Sequence, residues 1–184
     1  AVRNLVDGNS TILELGSGMG SKSLAEYCTI FSVEHDDRFL DLHQSVNYIH
    51  APLTEIEPLS EFNENKWYNS EILREKIPEK IDLVLVDGPP EKHGRSGLLH
   101  HLDMFDENCI WIIDDVLREK DQKLANYISL KFGFIQYRFW NFSILSYYYL
   151  SEDILQTIHD ASKKEMNKMS KHYMNKYYPA IDLD

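Results

Sequence analysis

The sequence predicts an α/β fold, doubly wound around a mostly parallel sheet of seven strands with an antiparallel hairpin at one edge. Short apolar segments alternate with stretches of helical spacing. Strands that alternate with helices in this way form parallel sheets that are covered on both faces. The last two strand-like segments, 134–140 and 142–150, are separated by Asn141 alone. So short a connection favours an antiparallel pair.

Each element is predicted from its own local pattern. Strands are predicted for the apolar, β-branched segments 11–15, 30–34, 46–51, 81–86 and 110–113. Helices are predicted where apolar residues recur at helical spacing, which is the case after Gly20 and at 36–45, 71–76, 98–105, 117–131 and 151–178. The rest of 53–80 is polar and contains Pro and several Asn residues, so it is predicted to be a loop.

Composition excludes several classes of protein. The chain has 184 residues, with 30 acidic side chains against 19 basic ones and a formal net charge of −11. This acidity makes nucleic acid an unlikely partner, and no apolar run approaches the ~20 residues that span a bilayer. The two cysteines, Cys28 and Cys109, give no disulfide framework, so a cytoplasmic location is predicted. The length fits a single domain, residues 1–184, with a core at about 10–150 and a helical extension at 151–184.

The first predicted strand ends in a glycine-rich turn, Glu14-Leu-Gly-Ser-Gly-Met-Gly20. Glycines allow the backbone to turn tightly and to approach a ligand closely. The second strand ends in Glu34, whose two oxygens can accept hydrogen bonds from both hydroxyls of a ribose. In doubly wound sheets, ligands bind beyond the carboxyl ends of the strands, so both features lie where a ligand is expected. The glycine spacing differs from the dinucleotide fingerprint and argues against an NAD-dependent oxidoreductase.

Residues 14–20, followed by Ser32-Val-Glu34-His35, resemble the nucleoside-binding signature of class I S-adenosylmethionine-dependent methyltransferases. The resemblance covers roughly residues 10–150. It implies that S-adenosylmethionine is the cofactor, with the following contacts: Glu14, Gly16 and Gly18 around its methionine end, Glu34 at the ribose, and Ala51, Pro52 and Leu53 beside the adenine.

Three aspartates follow the fourth and fifth strands of the predicted sheet: Asp87, Asp114 and Asp115. Neighbouring parallel strands bring them together at one edge, where their mutual repulsion favours a bound cation. Mg²⁺ prefers such oxygen ligands. The arrangement resembles the catechol O-methyltransferase-like group, which places Asp, Asp and Asn around Mg²⁺. The alternative is that Asp87 binds the cofactor amine or a water, while Asp114 and Asp115 cap the next helix.

The loop after Asp87 supplies candidates for proton transfer. Lys92 and His93 are the predicted general bases, and His93 has the more suitable unperturbed pKa, near 6.5. Arg95 and Arg118 are predicted to bind the substrate through their fork-shaped guanidinium groups.

Two further segments allow more than one interpretation. Trp67 and Tyr68 are predicted either to lie over the adenine or the acceptor, or to pin their loop to the sheet. The lysine-rich C-terminal stretch is predicted to pack on the core or on a second subunit of a homo-oligomer, with a membrane-surface helix as the alternative.

The predicted activity is methyl transfer from S-adenosylmethionine to an oxygen of a small polar molecule, assisted by Mg²⁺. Two alternatives share the cofactor pocket: metal-independent methylation of a sugar or nitrogen acceptor, and a non-catalytic domain that binds the cofactor and a protein partner.

Overall fold

The computed structural model describes the backbone of residues 1–177 and the side chains of residues 1–169. The end of the predicted C-terminal extension, 178–184, lies outside the described residues.

Nine strands form two sheets in the described chain. In chain order they are β1 (Thr11–Leu15), β2 (Thr29–Glu34), β3 (Asn47–His50), β4 (Leu53–Glu55), β5 (Lys66–Tyr68), β6 (Leu83–Val86), β7 (Ile110–Asp114), β8 (Ile135–Arg138) and β9 (Phe142–Ser146). The main sheet has seven strands in the order β3-β2-β1-β6-β7-β9-β8, and β4 pairs with β5 in a separate two-stranded ribbon. Strands β3, β2, β1, β6 and β7 are parallel, while β9 is antiparallel to both β7 and β8. The predicted fold class and its edge hairpin are confirmed.

Over residues 1–177, four α-helices accompany the sheets: α1 (Met19–Ala25), α2 (Ser70–Lys76), α3 (Glu119–Phe132) and α4 (Glu152–Tyr177). Two predicted helices differ from the structure. The 36–45 segment forms only a 3₁₀ turn at Asp37–Phe39, because the Asp36 side chain accepts from the backbone N–H of Arg38 and closes a local turn. Residues Ser96–Met104 form a 3₁₀ helix that is kinked at His101.

The predicted 53–80 loop is also more ordered than its composition indicates. It contains the β4–β5 ribbon, whose strands are three residues each. Strands this short give too few alternating positions to be recognised from hydrophobic pattern. The ribbon brings Tyr68 and its neighbours back beside the main sheet.

Apolar clusters cover both faces of the main sheet. Leu13, Leu15 and Trp111 belong to one cluster, whereas Ile12 and Ile112 belong to the other. Because both faces are covered, the central strands are apolar at nearly every position, as the sequence pattern indicated.

The long C-terminal helix α4 packs on the body through its first turns. Ile158 is buried, and Ile154 and Leu155 pack against the same cluster. Met169, further along, is 54% exposed. The predicted packing on the core therefore applies to the beginning of α4, and packing on a second subunit stays a prediction. Within the described part of the chain, we find no helix that combines the length and apolarity needed to cross a membrane.

Candidate active site

The carboxyl ends of β1 and β6 meet at the centre of one sheet edge. The Asp87 N–H donates to the Leu15 carbonyl, and the Gly16 N–H donates to the Val33 carbonyl near the end of β2. Gly16 has a φ of +98°, and a Cβ atom there would lie 2.7 Å from both the Cα and the N of Gly88. The first glycine of the loop is thus required for the fold itself, because two backbone segments touch at this point.

Replacing Gly16 with alanine is expected to destabilise the protein by at least about 2 kcal/mol, through backbone strain and overpacking against Gly88. The matched control is Gly18→Ala. Gly18 has an extended backbone, and no atom lies within 4 Å of an added Cβ. We expect this control to lose less than about 1 kcal/mol. Chemical denaturation of both variants measures the difference, and equal losses would contradict the contact with Gly88.

Glu14 is buried beneath the glycine loop. Its Oε2 accepts hydrogen bonds of 2.6 Å from the hydroxyls of Ser21 and Ser32. The Ser21 hydroxyl also accepts from the Gly18 N–H, so Glu14 supports the loop and the start of α1 together. Burial raises the pKa of Glu14 to about 6, although the two serine hydrogen bonds oppose that shift.

This raised pKa predicts a particular pH dependence of stability. The folded state holds the Glu14 proton more tightly than the unfolded state does, so stability is lost as pH rises from the unfolded pKa of about 4.5 to the folded value of about 6. We expect Glu14 to make the protein about 1 kcal/mol less stable at pH 7.5 than at pH 5. In Glu14→Gln this contribution should vanish. Urea denaturation at the two pH values measures it, and an unchanged difference would contradict the assignment.

Glu34 closes the other side of the glycine loop. Its Oε2 accepts from the Ser17 N–H at 3.2 Å, while its Oε1 accepts from the backbone N–H groups of His35 and Asp36. The Ala51 N–H donates to the main-chain carbonyl of Glu34 at 2.8 Å, which places the segment after β3 beside the end of β2. Ala51 is buried, Leu53 is half-buried and Pro52 is exposed. The predicted ribose and adenine contacts are therefore neighbours in space.

Tyr68 lies under the junction of β1 and β6. A Cβ atom at Gly88 would be 2.6 Å from its hydroxyl oxygen. The side chain is 1% exposed and its hydroxyl has no hydrogen-bond partner in the described chain. Burial raises the pKa of Tyr68 well above its ordinary value, and the nearby Glu34 carboxylate adds to the shift. Tyr68 is thus a protonated donor without an acceptor, beside Glu34.

Trp67 points elsewhere. It is fully buried in the core and packs against Gly97, where a Cβ would come within 2.5 Å of the Trp67 Cβ. No surface of this side chain is available to an adenine or an acceptor. Of the two predicted roles, the structure supports the one in which Trp67 pins its segment to the sheet.

The loop after β6 folds back towards the end of β2. The rings of His93 and His35 meet edge to face, with centroids 5.8 Å apart, and His35 Nδ1 lies 2.7 Å from Glu34 Oε1. His93 is half-buried, while Lys92 is exposed. Partial burial lowers the pKa of His93, with further contributions from Lys92, His35 and Lys66. His93 is therefore a neutral imidazole at neutral pH.

The three predicted aspartates come together. Asp87, Asp114 and Asp115 each offer an oxygen atom, and the three atoms lie within 4.8 Å of one another. Asp115 has a φ of +61°, a left-handed conformation that costs energy for a residue other than glycine. Neither Asp114 nor Asp115 caps α3, since the residue before that helix is Arg118.

Asn141 joins this acidic cluster from the β8–β9 turn. Its Nδ2 lies 3.4 Å from an oxygen of Asp114 and 3.4 Å from an oxygen of Asp115. The sequence marked Asn141 only as a turn residue, because nothing in its neighbourhood indicates which strand end the turn would meet. The one feature of the sequence that indicates this contact is the carboxamide side chain itself, which occurs in a turn later in the chain than the acidic ends of β6 and β7.

Arg95 lies inside the site. It is 4% exposed, and its guanidinium group contacts Asp87, Asp115 and Asp121. These contacts use Nη1 and Nη2, whereas Nε is buried without a partner in the described chain. The side chain also lines a cavity next to the acidic cluster, and its substrate-binding role stays a prediction.

Arg118 remains accessible. Its side chain is 36% exposed and reaches Asp115 Oδ2 at 2.9 Å. It also lines a cavity of about 330 Å³ whose walls carry charged side chains, among them Glu64, Glu91, Arg95 and Lys120. Charged groups at the wall suit a hydroxylated group better than an apolar one.

The charges around the cluster are unbalanced. Five carboxylates, on Asp87, Glu91, Asp114, Asp115 and Asp121, lie around the guanidinium groups of Arg95 and Arg118, which leaves a formal charge of −3. Burial raises the pKa of Asp87 to about 6, with Asp114 and Asp115 contributing to the shift, and it also raises that of Asp121 to about 6. A divalent cation would offset most of this negative charge.

No protein-family model matches the chain, and no curated protein matches its sequence. Solved structures do match. One is the MycE methyltransferase from the mycinamycin biosynthetic pathway in complex with Mg and SAH, at a TM-score of 0.51 and 12% sequence identity, covering 81% of this chain and 48% of that chain. Another is MycE with Mg, SAH and mycinamycin VI, at a TM-score of 0.49 and 13% identity, covering 81% and 47%. The chain spans about half the length of these structures, and it has the fold of a methyltransferase.

Proposed function

We propose that this protein transfers a methyl group from S-adenosylmethionine to an oxygen of a small polar acceptor, with Mg²⁺ at the acidic cluster. One observation carries the proposal: the glycine loop, Glu34 and the cluster of Asp87, Asp114 and Asp115 share one edge of a sheet with the methyltransferase fold. A donor site and an activating site then lie side by side, as a two-substrate reaction requires.

The residues present fit S-adenosylmethionine. Open space lies above the loop, since no atom is within 4 Å of a Cβ added at Gly18 or Gly20. Glu34 is buried and accepts from three backbone N–H groups, and it would accept from the ribose hydroxyls through its remaining lone pairs. The Tyr68 hydroxyl, which has no partner in the described chain, lies near it. Gly16, Gly18 and the Glu14 that supports them would hold the methionine end. Ala51, Pro52 and Leu53 would flank the adenine.

The residues also fit Mg²⁺. The donors are all oxygens, and the excess of negative charge around them favours a divalent ion. Asp87, Asp114 and Asp115 would hold the ion, which when bound lowers the pKa of a coordinated hydroxyl.

The chain's own residues would align the acceptor and remove its proton. In the transfer, the acceptor oxygen forms a bond to the methyl carbon, the carbon–sulfur bond breaks, and the electron pair stays on sulfur. The hydroxyl proton goes to a ring nitrogen of His93, which is neutral at physiological pH. Exposed Lys92 is the second candidate base. Arg118 would orient the acceptor through the adjoining polar cavity.

Calorimetric titration with S-adenosylhomocysteine and with NAD tests the donor site. We expect S-adenosylhomocysteine to bind and NAD not to bind, and Gly18→Ala to weaken binding because its methyl group fills the open space above the loop. Failure of S-adenosylhomocysteine to bind would overturn the proposal.

Turnover on a panel of hydroxylated acceptors, with and without EDTA, tests the acidic cluster. We expect chelation to stop methyl transfer. Activity that survives EDTA would favour the metal-independent transferase, and binding without turnover on any acceptor would favour a cofactor-binding interaction domain.

A further inference from the structure

We propose that Arg95 is a positioning residue that makes the acidic cluster selective for Mg²⁺ over Ca²⁺. It does so by occupying one oxygen of Asp87 and sharing one oxygen of Asp115 with Arg118, so that each of these two carboxylates has a single oxygen left for a cation. The inference rests on the proposed function, because it takes the three aspartates as cation ligands.

The Arg95 guanidinium connects the ends of two neighbouring strands. Its Nη2 donates to Asp87 Oδ1 at 3.1 Å and to Asp115 Oδ2 at 2.9 Å. The same atom reaches the Asp87 carbonyl at 2.8 Å, and Nη1 donates to the Asp114 carbonyl at 3.0 Å. One buried side chain thus fixes the spacing between β6 and β7 where the aspartates emerge.

The loop around Arg95 is itself fixed. Glu64, which is buried, accepts the Ser96 N–H at 2.9 Å on one side of Arg95. On the other side, Gly94 has a φ of +79°, and a Cβ there would overlap the Glu64 carboxylate. The backbone on both sides of Arg95 is therefore held in place, and its guanidinium group is buried against Asp87, Asp115 and Asp121.

The hydrogen bonds leave one oxygen free on Asp87 and on Asp114, and one oxygen of Asp115 with only a long hydrogen bond. Asp114 Oδ1 accepts the Asp115 N–H at 2.8 Å. Within the described chain, Asp87 Oδ2 and Asp114 Oδ2 accept no hydrogen bond, and Asp115 Oδ1 has only the 3.4 Å contact with Asn141. Each of the three carboxylates can therefore coordinate a cation through one oxygen atom.

This arrangement matters because the two cations differ in what they require. Mg²⁺ takes six ligands in a compact octahedron, with carboxylates bound through one oxygen and waters completing the shell. Ca²⁺ takes six to eight ligands and often binds carboxylates through both oxygens. Arg95 alone withholds Asp87 Oδ1, and Arg95 and Arg118 together withhold Asp115 Oδ2, so binding through both oxygens is disfavoured at these two ligands. Replacing Arg95 releases Asp87 Oδ1, while Arg118 still holds Asp115.

Calorimetric titration of MgCl₂ and CaCl₂, with S-adenosylhomocysteine present, tests the inference on the wild-type chain, Arg95→Gln and Arg95→Lys. We expect the wild type to prefer Mg²⁺, and Arg95→Gln to shift the ratio of the two dissociation constants towards Ca²⁺ by at least about tenfold. Arg95→Lys should shift it in the same direction but less, because an ammonium lacks the planar fork. The control is Arg74→Gln, since Arg74 pairs with Asp103 on the surface. The control should leave the ratio unchanged.

A purely structural role for Arg95 predicts a different result. A folded Arg95→Gln that loses both cations equally, or keeps the wild-type ratio, overturns the inference and leaves the proposed function intact. So does a wild type that prefers Ca²⁺. A wild type that binds neither cation overturns the metal part of the proposed function as well. If circular dichroism shows that Arg95→Gln is unfolded, the ratio of the Mg²⁺ and Ca²⁺ dissociation constants in Arg95→Lys decides whether the inference holds.

Discussion

Asp87→Asn is expected to reduce methyl transfer by at least about 100-fold while leaving the fold intact. Asparagine keeps the shape of the side chain and still accepts from Arg95 Nη2 through its amide oxygen. It removes the negative charge that the proposed Mg²⁺ requires at this corner of the cluster, and losing one such electrostatic contact in an active site costs about 100- to 1,000-fold in rate. Initial rates at saturating donor, together with a Mg²⁺ titration, measure the effect.

The same variant separates the two roles that Asp87 can have. If Asp87 is a metal ligand, Mg²⁺ binding falls and the affinity for S-adenosylhomocysteine stays. If Asp87 binds the cofactor amine instead, the affinity for S-adenosylhomocysteine falls and Mg²⁺ binding stays. Asp153→Asn, a matched change on the first turn of α4, is the control and should leave both affinities unchanged. Full activity in Asp87→Asn would remove Asp87 from the site altogether.

Much of the fold and part of the candidate site could be predicted because strand ends are easy to recognise. Asp87 and Asp114 stand next to apolar strands, and the parallel topology alone brings their backbones to one edge. The same reasoning places Glu34 beside the glycine loop. In such cases a residue's position on a strand determines its place in the fold.

Residues on loops could not be placed in this way. The fork-shaped guanidinium group of Arg95 suggests substrate binding, yet its burial against Asp121 and two carbonyl groups depends on the path of the loop. Trp67 was treated as a loop aromatic because the strand that buries it is three residues long. Asn141 meets the cluster only because β9 inserts beside β7, a pairing that no local pattern indicates.

Glu34→Gln is expected to weaken the binding of S-adenosylhomocysteine by roughly 30-fold, or about 2 kcal/mol. The glutamine keeps one oxygen as an acceptor but loses the charge and the second acceptor that a ribose diol requires. Calorimetric titration measures the loss. Glu26→Gln is the control, because Glu26 is exposed and lies at the far end of α1 from the glycine loop.

A double-mutant cycle with the 2′-deoxy analogue of S-adenosylhomocysteine assigns this loss to the ribose. Removing the 2′-hydroxyl should weaken binding to the wild type by about tenfold. It should change binding to Glu34→Gln much less, because this variant already lacks the carboxylate that accepts from the hydroxyl. Equal losses in both proteins would mean that Glu34 acts only through the loop, by accepting the Ser17 N–H. The coupling between a single hydroxyl and a single carboxylate therefore distinguishes direct binding of the methyl donor from support of the loop that surrounds it.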